Sequence, residues 1–150
     1  MNFSQATVLD DRLANTVAKL CDAFPEIIGI YLYGSRLLPD SLHDESDWDI
    51  GVLTEVKTLD QYQLWKLSSR LAADLGAAVD LVQLNAQDNL VLQWEVITNG
   101  KRIYTSNQYA CDLFEATAMT KFLYFRESIR PLIQSAIQRF INYEPTASTE

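Results

Sequence analysis

The chain has 150 residues, 48% apolar and 21% charged, the balance of one globular domain with room for a core. Its 12 basic and 20 acidic residues give a net charge of −8, which argues against tracking a nucleic-acid backbone, because phosphate contacts need Lys and Arg. An acidic surface suits a cationic partner instead, and no apolar run is long enough to cross a bilayer. The polar start at Met1 has no basic segment, apolar stretch or cleavage site of a secretory signal. Cys21 and Cys111 lie far apart without metal-ligand spacing, so they read as free thiols of a reducing cytoplasm.

The first predicted element is a helix over Leu9 to Phe24, with Leu13, Val17 and Leu20 on one face and Pro25 as its stop. The β-branched and aromatic run Ile27 to Tyr33 predicts a buried strand, ended by Gly34-Ser35. Leu37 to Ser46 reads as a loop, and Asp47 to Leu53 as a second strand. Thr58 with Gln61 forms a capping-box pattern for a second helix, whose stripe is Leu64, Leu67, Leu71 and Leu75 and whose end is Gly76. Val79 to Leu84 predicts a third strand, and Asn85 caps a helix running to Asn99 and closed by Gly100. A short strand, Lys101 to Thr105, precedes a helical stretch from about Gln108 to Tyr143, in which Pro131 predicts a kink or a break. This is an α/β (α+β) layout: a small mixed sheet flanked by helices, with a helical C-terminal segment. The predicted domain covers 1–143, with a core of about 9–105 and the helical segment of about 108–143, and residues 144–150 read as a disordered tail.

The chemistry-bearing segment runs from Tyr33 to Leu53. Gly34-Ser35 sits where a strand turns, where glycine lets the backbone approach a ligand and the following N–H groups and the Ser35 hydroxyl can hold an anion. Alone, the pair is a plain turn. Asp47 and Asp49 flank Trp48 in an apolar strand, so alternation puts both carboxylates on one face. Their mutual repulsion calls for a counter-charge, which a hard cation such as Mg²⁺ supplies; a bare Asp-x-Asp is otherwise the polar side of an edge strand. Asp80 interrupts Val79 to Leu84 in the same way. If its strand pairs beside the second, Asp80 completes a three-carboxylate set able to hold two metal ions and is placed to take a proton from an acceptor hydroxyl.

A strand, Gly34-Ser35, a loop, Ser46-Asp47-Trp48-Asp49 in the next strand, then a helix and an Asp80-bearing strand resembles the DNA polymerase β-like nucleotidyltransferase superfamily. The pattern is most similar to its minimal members, the MNT antitoxins of HEPN/MNT toxin–antitoxin pairs, over roughly Leu9 to Thr105. One departure is visible: Arg36 to Ser46 is one residue longer than the usual minimal spacing, which an exposed loop absorbs cheaply. The resemblance implies that Gly34 and Ser35 hold the triphosphate of ATP and that Asp47, Asp49 and Asp80 bind metal and carry catalysis. It further implies transfer of AMP to a tyrosine of a partner HEPN ribonuclease toxin, within a cytoplasmic hetero-oligomer with that toxin, and without direct nucleic-acid or membrane binding.

Other residues admit two readings. Arg36 either contacts the triphosphate or pairs with Asp40, Asp44 or Glu45. Ser46 either supports a metal ligand or simply starts the strand. His43, the sole histidine, reads as exposed, and Trp48, Trp65 and Trp94 read as core. Phe122 to Phe125 is core packing or part of a partner interface. Rival functions are a non-catalytic binding antitoxin, an aminoglycoside-type nucleotidyltransferase, for which the segment after Thr105 is short, and an RNA-modifying enzyme, which the acidic charge disfavours.

Overall fold

Four strands form one sheet with helices packed against it, and every strand but the first is followed by an α-helix along the chain. The structure is a computed structural model that describes residues 3–37, 46–56, 58–86 and 88–143. His43, Asp40, Asp44, Glu45 and the tail 144–150 lie outside the described residues.

The elements are α1 (Phe3–Ala23), β1 (Ile27–Tyr33), β2 (Trp48–Thr54), α2 (Gln61–Leu75), β3 (Val79–Gln83), α3 (Leu90–Asn99), β4 (Lys101–Thr105) and α4 (Gln108–Ile141). The sheet order is β3-β2-β1-β4. β1 pairs antiparallel with both β2 and β4, whereas β2 and β3 are parallel, as a strand–helix–strand unit requires. The expected mixed sheet is therefore present.

Alternation along the strands divides the core in two. Ile30, Leu32, Trp48, Ile50 and Val52 face α1 and α2, where Leu20, Leu64 and Leu71 fill the layer. Tyr31, Tyr33 and Leu53 face the other way, toward Val96 of α3 and Cys111 of α4. Gly29 belongs to this second layer: a Cβ there would fall 2.8 Å from the Cys111 sulfur, so its lack of side chain lets α4 lie close on β1. Glu115 locks that contact by accepting from the Tyr31 hydroxyl at 2.9 Å and pairing with Arg102 at 2.8 Å.

Several boundaries differ from the sequence expectation. α1 begins at Phe3, six residues before Leu9. Asp60, not Thr58, caps α2, its carboxylate accepting from the Tyr62 and Gln63 N–H groups. The physical reason is the burial of Leu59, whose N–H donates to Gln83 Oε1 at 2.8 Å and holds the preceding segment extended against β3. Replacing Asp60 with Ala should lower stability by about 1 kcal/mol, read as a small drop in the thermal midpoint with the sheet unchanged. Asn85 does not cap α3 either; Asn89 does, while the Asn85 side-chain amide donates to the Thr54 carbonyl at 2.7 Å and ties the ends of β2 and β3. Gly76 does end α2, at φ 71°. α4 carries through Pro131 as one helix, and the segments on either side of it form no separate elements. Trp65 is 64% exposed, because the Leu64, Leu67 and Leu71 stripe turns it to solvent; Trp48 is core, and Trp94 is half-buried, stacked on Phe122 with ring centroids 4.4 Å apart.

Candidate active site

The site lies at one end of the sheet, where β1 finishes and β2 and β3 begin. Tyr33 is the last residue of β1 and is the register partner of Asp49 across the antiparallel pair. Asp49 is in turn the register partner of Asp80 across the parallel pair. Register partners on adjacent strands point to the same face, about 5 Å apart along the sheet. The alternation expected for Asp49 and Asp80 is thus met, because β3 does pair beside β2. Asp47 stands just before β2 and is exposed, while Trp48 between the two carboxylates is buried in the opposite layer. The Trp48 N–H donates to the Ala78 carbonyl at 2.8 Å, which fixes the start of β2 against the start of β3.

Gly34 follows at φ +86°, a left-handed conformation that glycine adopts without strain. A Cβ on Gly34 would lie 2.0 Å from Asp49 Oδ2. The bare backbone of the Gly34-Ser35 turn therefore abuts the Asp49 carboxylate itself. Residues Ser35–Leu37 continue as a single 3₁₀ turn, closed by the Leu37 N–H to the Gly34 carbonyl at 3.2 Å, and Ser35 is exposed.

The electrostatics agree with the register. Burial pushes the Asp49 carboxyl above its ordinary value, and the negative charges of Asp80 and then Asp47 push it further. The Tyr33 hydroxyl is pushed up to about 12, first by burial and then by Asp80 and Asp49. Tyr33 was not picked out from sequence, although its position directly before Gly34, in step with Tyr31, was a usable signal. The charges of Asp80 and Asp47 thus both act on Asp49, and all three carboxylates offer oxygen, the donor that hard divalent cations prefer. Among the described residues, no three His, Cys, Asp or Glu side chains stand close enough together to form a ready-made metal cage. The donor set fits a divalent cation in its chemistry.

Arg36 lies over the Trp48 ring at 4.2 Å, and its Nε donates to the Ser46 carbonyl at 2.8 Å. It bridges the two ends of the loop between the Gly34-Ser35 turn and β2. Ser46 supplies its carbonyl to that bridge. Trp48 Nε1 is buried without a hydrogen-bond partner among the described residues.

The sequence and the fold have counterparts in known proteins. The polymerase beta nucleotidyltransferase family matches residues 15–109. Protein adenylyltransferase MntA of Shewanella oneidensis is 38% identical over 95 residues, a stretch that spans 63% of this chain and 66% of that protein, just under two thirds of its length. Among solved structures, a tri-AMPylated Shewanella oneidensis HEPN toxin in complex with MNT antitoxin matches with TM-score 0.71 and 28% identity, covering 85% of this chain and 98% of that one. A toxin–antitoxin structure with AMP-PNP matches with TM-score 0.71 and 31% identity, covering 82% and 97%. With a match over most of its length and the motif strands in register, this chain belongs to the polymerase beta nucleotidyltransferase family.

Proposed function

We propose that this chain is a metal-dependent adenylyltransferase that moves AMP from ATP to a side-chain hydroxyl, by our reading a tyrosine, of a HEPN ribonuclease toxin and so acts as its antitoxin. The observation that carries this reading is the contact between the Gly34 backbone and the Asp49 carboxylate, with Asp80 in register beside it. That proximity supports reading the small-residue turn as the seat of the phosphates and the carboxylate pair as ligands of the cation. The similarity to MntA and to the HEPN–MNT complexes supports the choice of acceptor. The chain would work in the cytoplasm; among the described residues no helix is long and apolar enough to cross a membrane.

In this reading Asp47, Asp49 and Asp80 hold the cation, Mg²⁺, which when bound supplies charge neutralisation for the triphosphate and the developing oxyanion. Gly34 leaves room for the phosphates, and the Ser35 hydroxyl orients them. Asp80, exposed on β3, takes the proton of the acceptor hydroxyl. The acceptor oxygen then bonds to the α-phosphorus, the bond from that phosphorus to the bridging oxygen breaks, and pyrophosphate leaves.

The contacts of Arg36 with Ser46 and Trp48 support a positioning role, across the loop between the turn and the metal strand. Arg36→Lys keeps the charge but loses the planar stack and the Nε donor, so transfer should fall roughly tenfold. Near-wild-type transfer by the lysine variant in steady-state assays would instead make Arg36 a charge contact to phosphate.

The direct test is the intact mass of the HEPN-type protein encoded beside this chain, after incubation with this chain, ATP and Mg²⁺. A gain of one or more AMP units is expected. Full neutralisation of that protein's ribonuclease activity with no mass gain would establish a purely binding antitoxin.

A further inference from the structure

The helix α4 carries one continuous apolar stripe, of which the body uses only the first part. In the proximal half, Cys111, Phe114, Ala118 and Phe122 recur at spacings of three and four and are buried or half-buried against β1 and α3. The same spacing continues through Ile129, Ile133, Ala136 and Phe140 on the same face. There the body has ended: every side chain from Arg130 to Tyr143 is exposed, with Leu132 at 69%, Ile137 at 52% and Phe140 at 83%. From Arg126 to Ile141 the helix is an arm of more than four turns, roughly 24 Å long. A helix this short has marginal stability alone in water, and an apolar stripe of this extent left uncovered marks an interaction surface.

The charge on the arm selects its occupant. Residues 126–143 carry three arginines, Arg126, Arg130 and Arg139, against a single acidic residue, Glu127, in a chain whose totals are 12 basic and 20 acidic. By helical spacing, Arg130 lies along one border of the stripe and Arg139 along the other. Glu127 pairs with Arg130 at 2.9 Å, and two arms laid stripe to stripe would still each bring an excess of positive charge, which disfavours a second copy. An amphipathic helix with carboxylates beside its apolar face would complement both the stripe and its borders. At the root of the arm an open concavity of about 450 Å³, lined by Leu90, Val91 and Phe125 with Asp88 and Asn89 completing its wall, offers a seat for one large uncharged side chain of such a helix.

We propose that the distal half of α4 is a docking arm for an acid-bordered amphipathic helix on the acceptor protein, an inference that rests on the adenylyltransferase reading for the identity of that protein. The arm leaves the body beyond Phe125, which lies against the N-terminal end of α3, so it would hold the acceptor by a contact separate from Asp49 and Asp80.

The test is the full-length Ile133→Asp/Ile137→Asp variant, with helical content by circular dichroism and ATP-analogue binding measured to show that the body is intact. Its affinity for the HEPN-type protein encoded beside this chain should fall about 100-fold or more, while AMP transfer at saturating acceptor is retained. The Arg130→Glu/Arg139→Glu variant should weaken binding and remove most of its salt dependence. Unchanged affinity in the isoleucine variant overturns the docking arm, whatever the transfer assay shows. A wild-type dimer that the same variant converts to monomer, with acceptor affinity unchanged, also overturns it and assigns the stripe to a second copy. Arm-dependent binding with no mass gain on the acceptor leaves the docking surface standing and removes the enzymatic reading instead.

Discussion

Replacing both Asp47 and Asp49 with asparagine should reduce AMP transfer by about 10³-fold or more, while the protein remains folded and becomes more stable. The two effects share one cause. Asp49 is held above its ordinary carboxyl range by burial and by the charges of Asp80 and Asp47, so its ionised form is disfavoured in the folded chain. Asparagine has nearly the same shape and no charge, so the repulsion disappears along with the cation ligand. Thermal unfolding without divalent cation should show the variant's midpoint above that of wild type. Added Mg²⁺ should raise the wild-type midpoint and leave the variant's unchanged, because binding to the native state alone stabilises it. A variant that is less stable than wild type without metal would show that these carboxylates serve packing or hydrogen bonding rather than a charged site.

Gly34→Ala is the second large effect. At φ +86° any side chain is strained, and here the new methyl carbon would overlap Asp49 Oδ2 at 2.0 Å. The turn and the carboxylate cannot both keep their places. The expected cost is about 3 kcal/mol of stability, with transfer lost in whatever fraction still folds. Chemical denaturation with a parallel transfer assay separates the two. The contrast with Gly76 is instructive: it too has a positive φ, 71°, but no atom lies within 4 Å of its Cβ position. Gly76→Ala should therefore cost only the backbone strain, about 1 kcal/mol, and leave transfer per folded molecule intact.

The strands and the carboxylate register were legible because they depend on local alternation. The run Ile27 to Tyr33 is apolar on both faces and is buried on both. Asp49 and Asp80 interrupt apolar strands, and parallel pairing of those strands then aligns them. The helix starts were less legible because tertiary contacts chose between equivalent local signals. Thr58 and Asp60 both suit a cap, and Asp60 prevails because buried Gln83 draws the Leu59 N–H to itself. Asn85 suits a cap as well, but its amide is used to fasten two strand ends. Trp65 could have been placed on the solvent side from the leucine stripe beside it. The contacts of Arg36 with Trp48 and Ser46 were not accessible, since they form only when the loop closes. The uncovered half of α4 was equally hidden: its apolar periodicity is the same in the part that packs and the part that overhangs.

The place of β3 at the border of the sheet has a consequence for access. Asp49 sits on an inner strand, flanked on both sides by backbone. Asp80 sits on an outermost strand, with no further strand beyond it among the described residues. A macromolecule can therefore bring a protruding ring to Asp80 from the side without the enzyme having to open. On the proposed reading, that access suits an acceptor that is itself a folded protein.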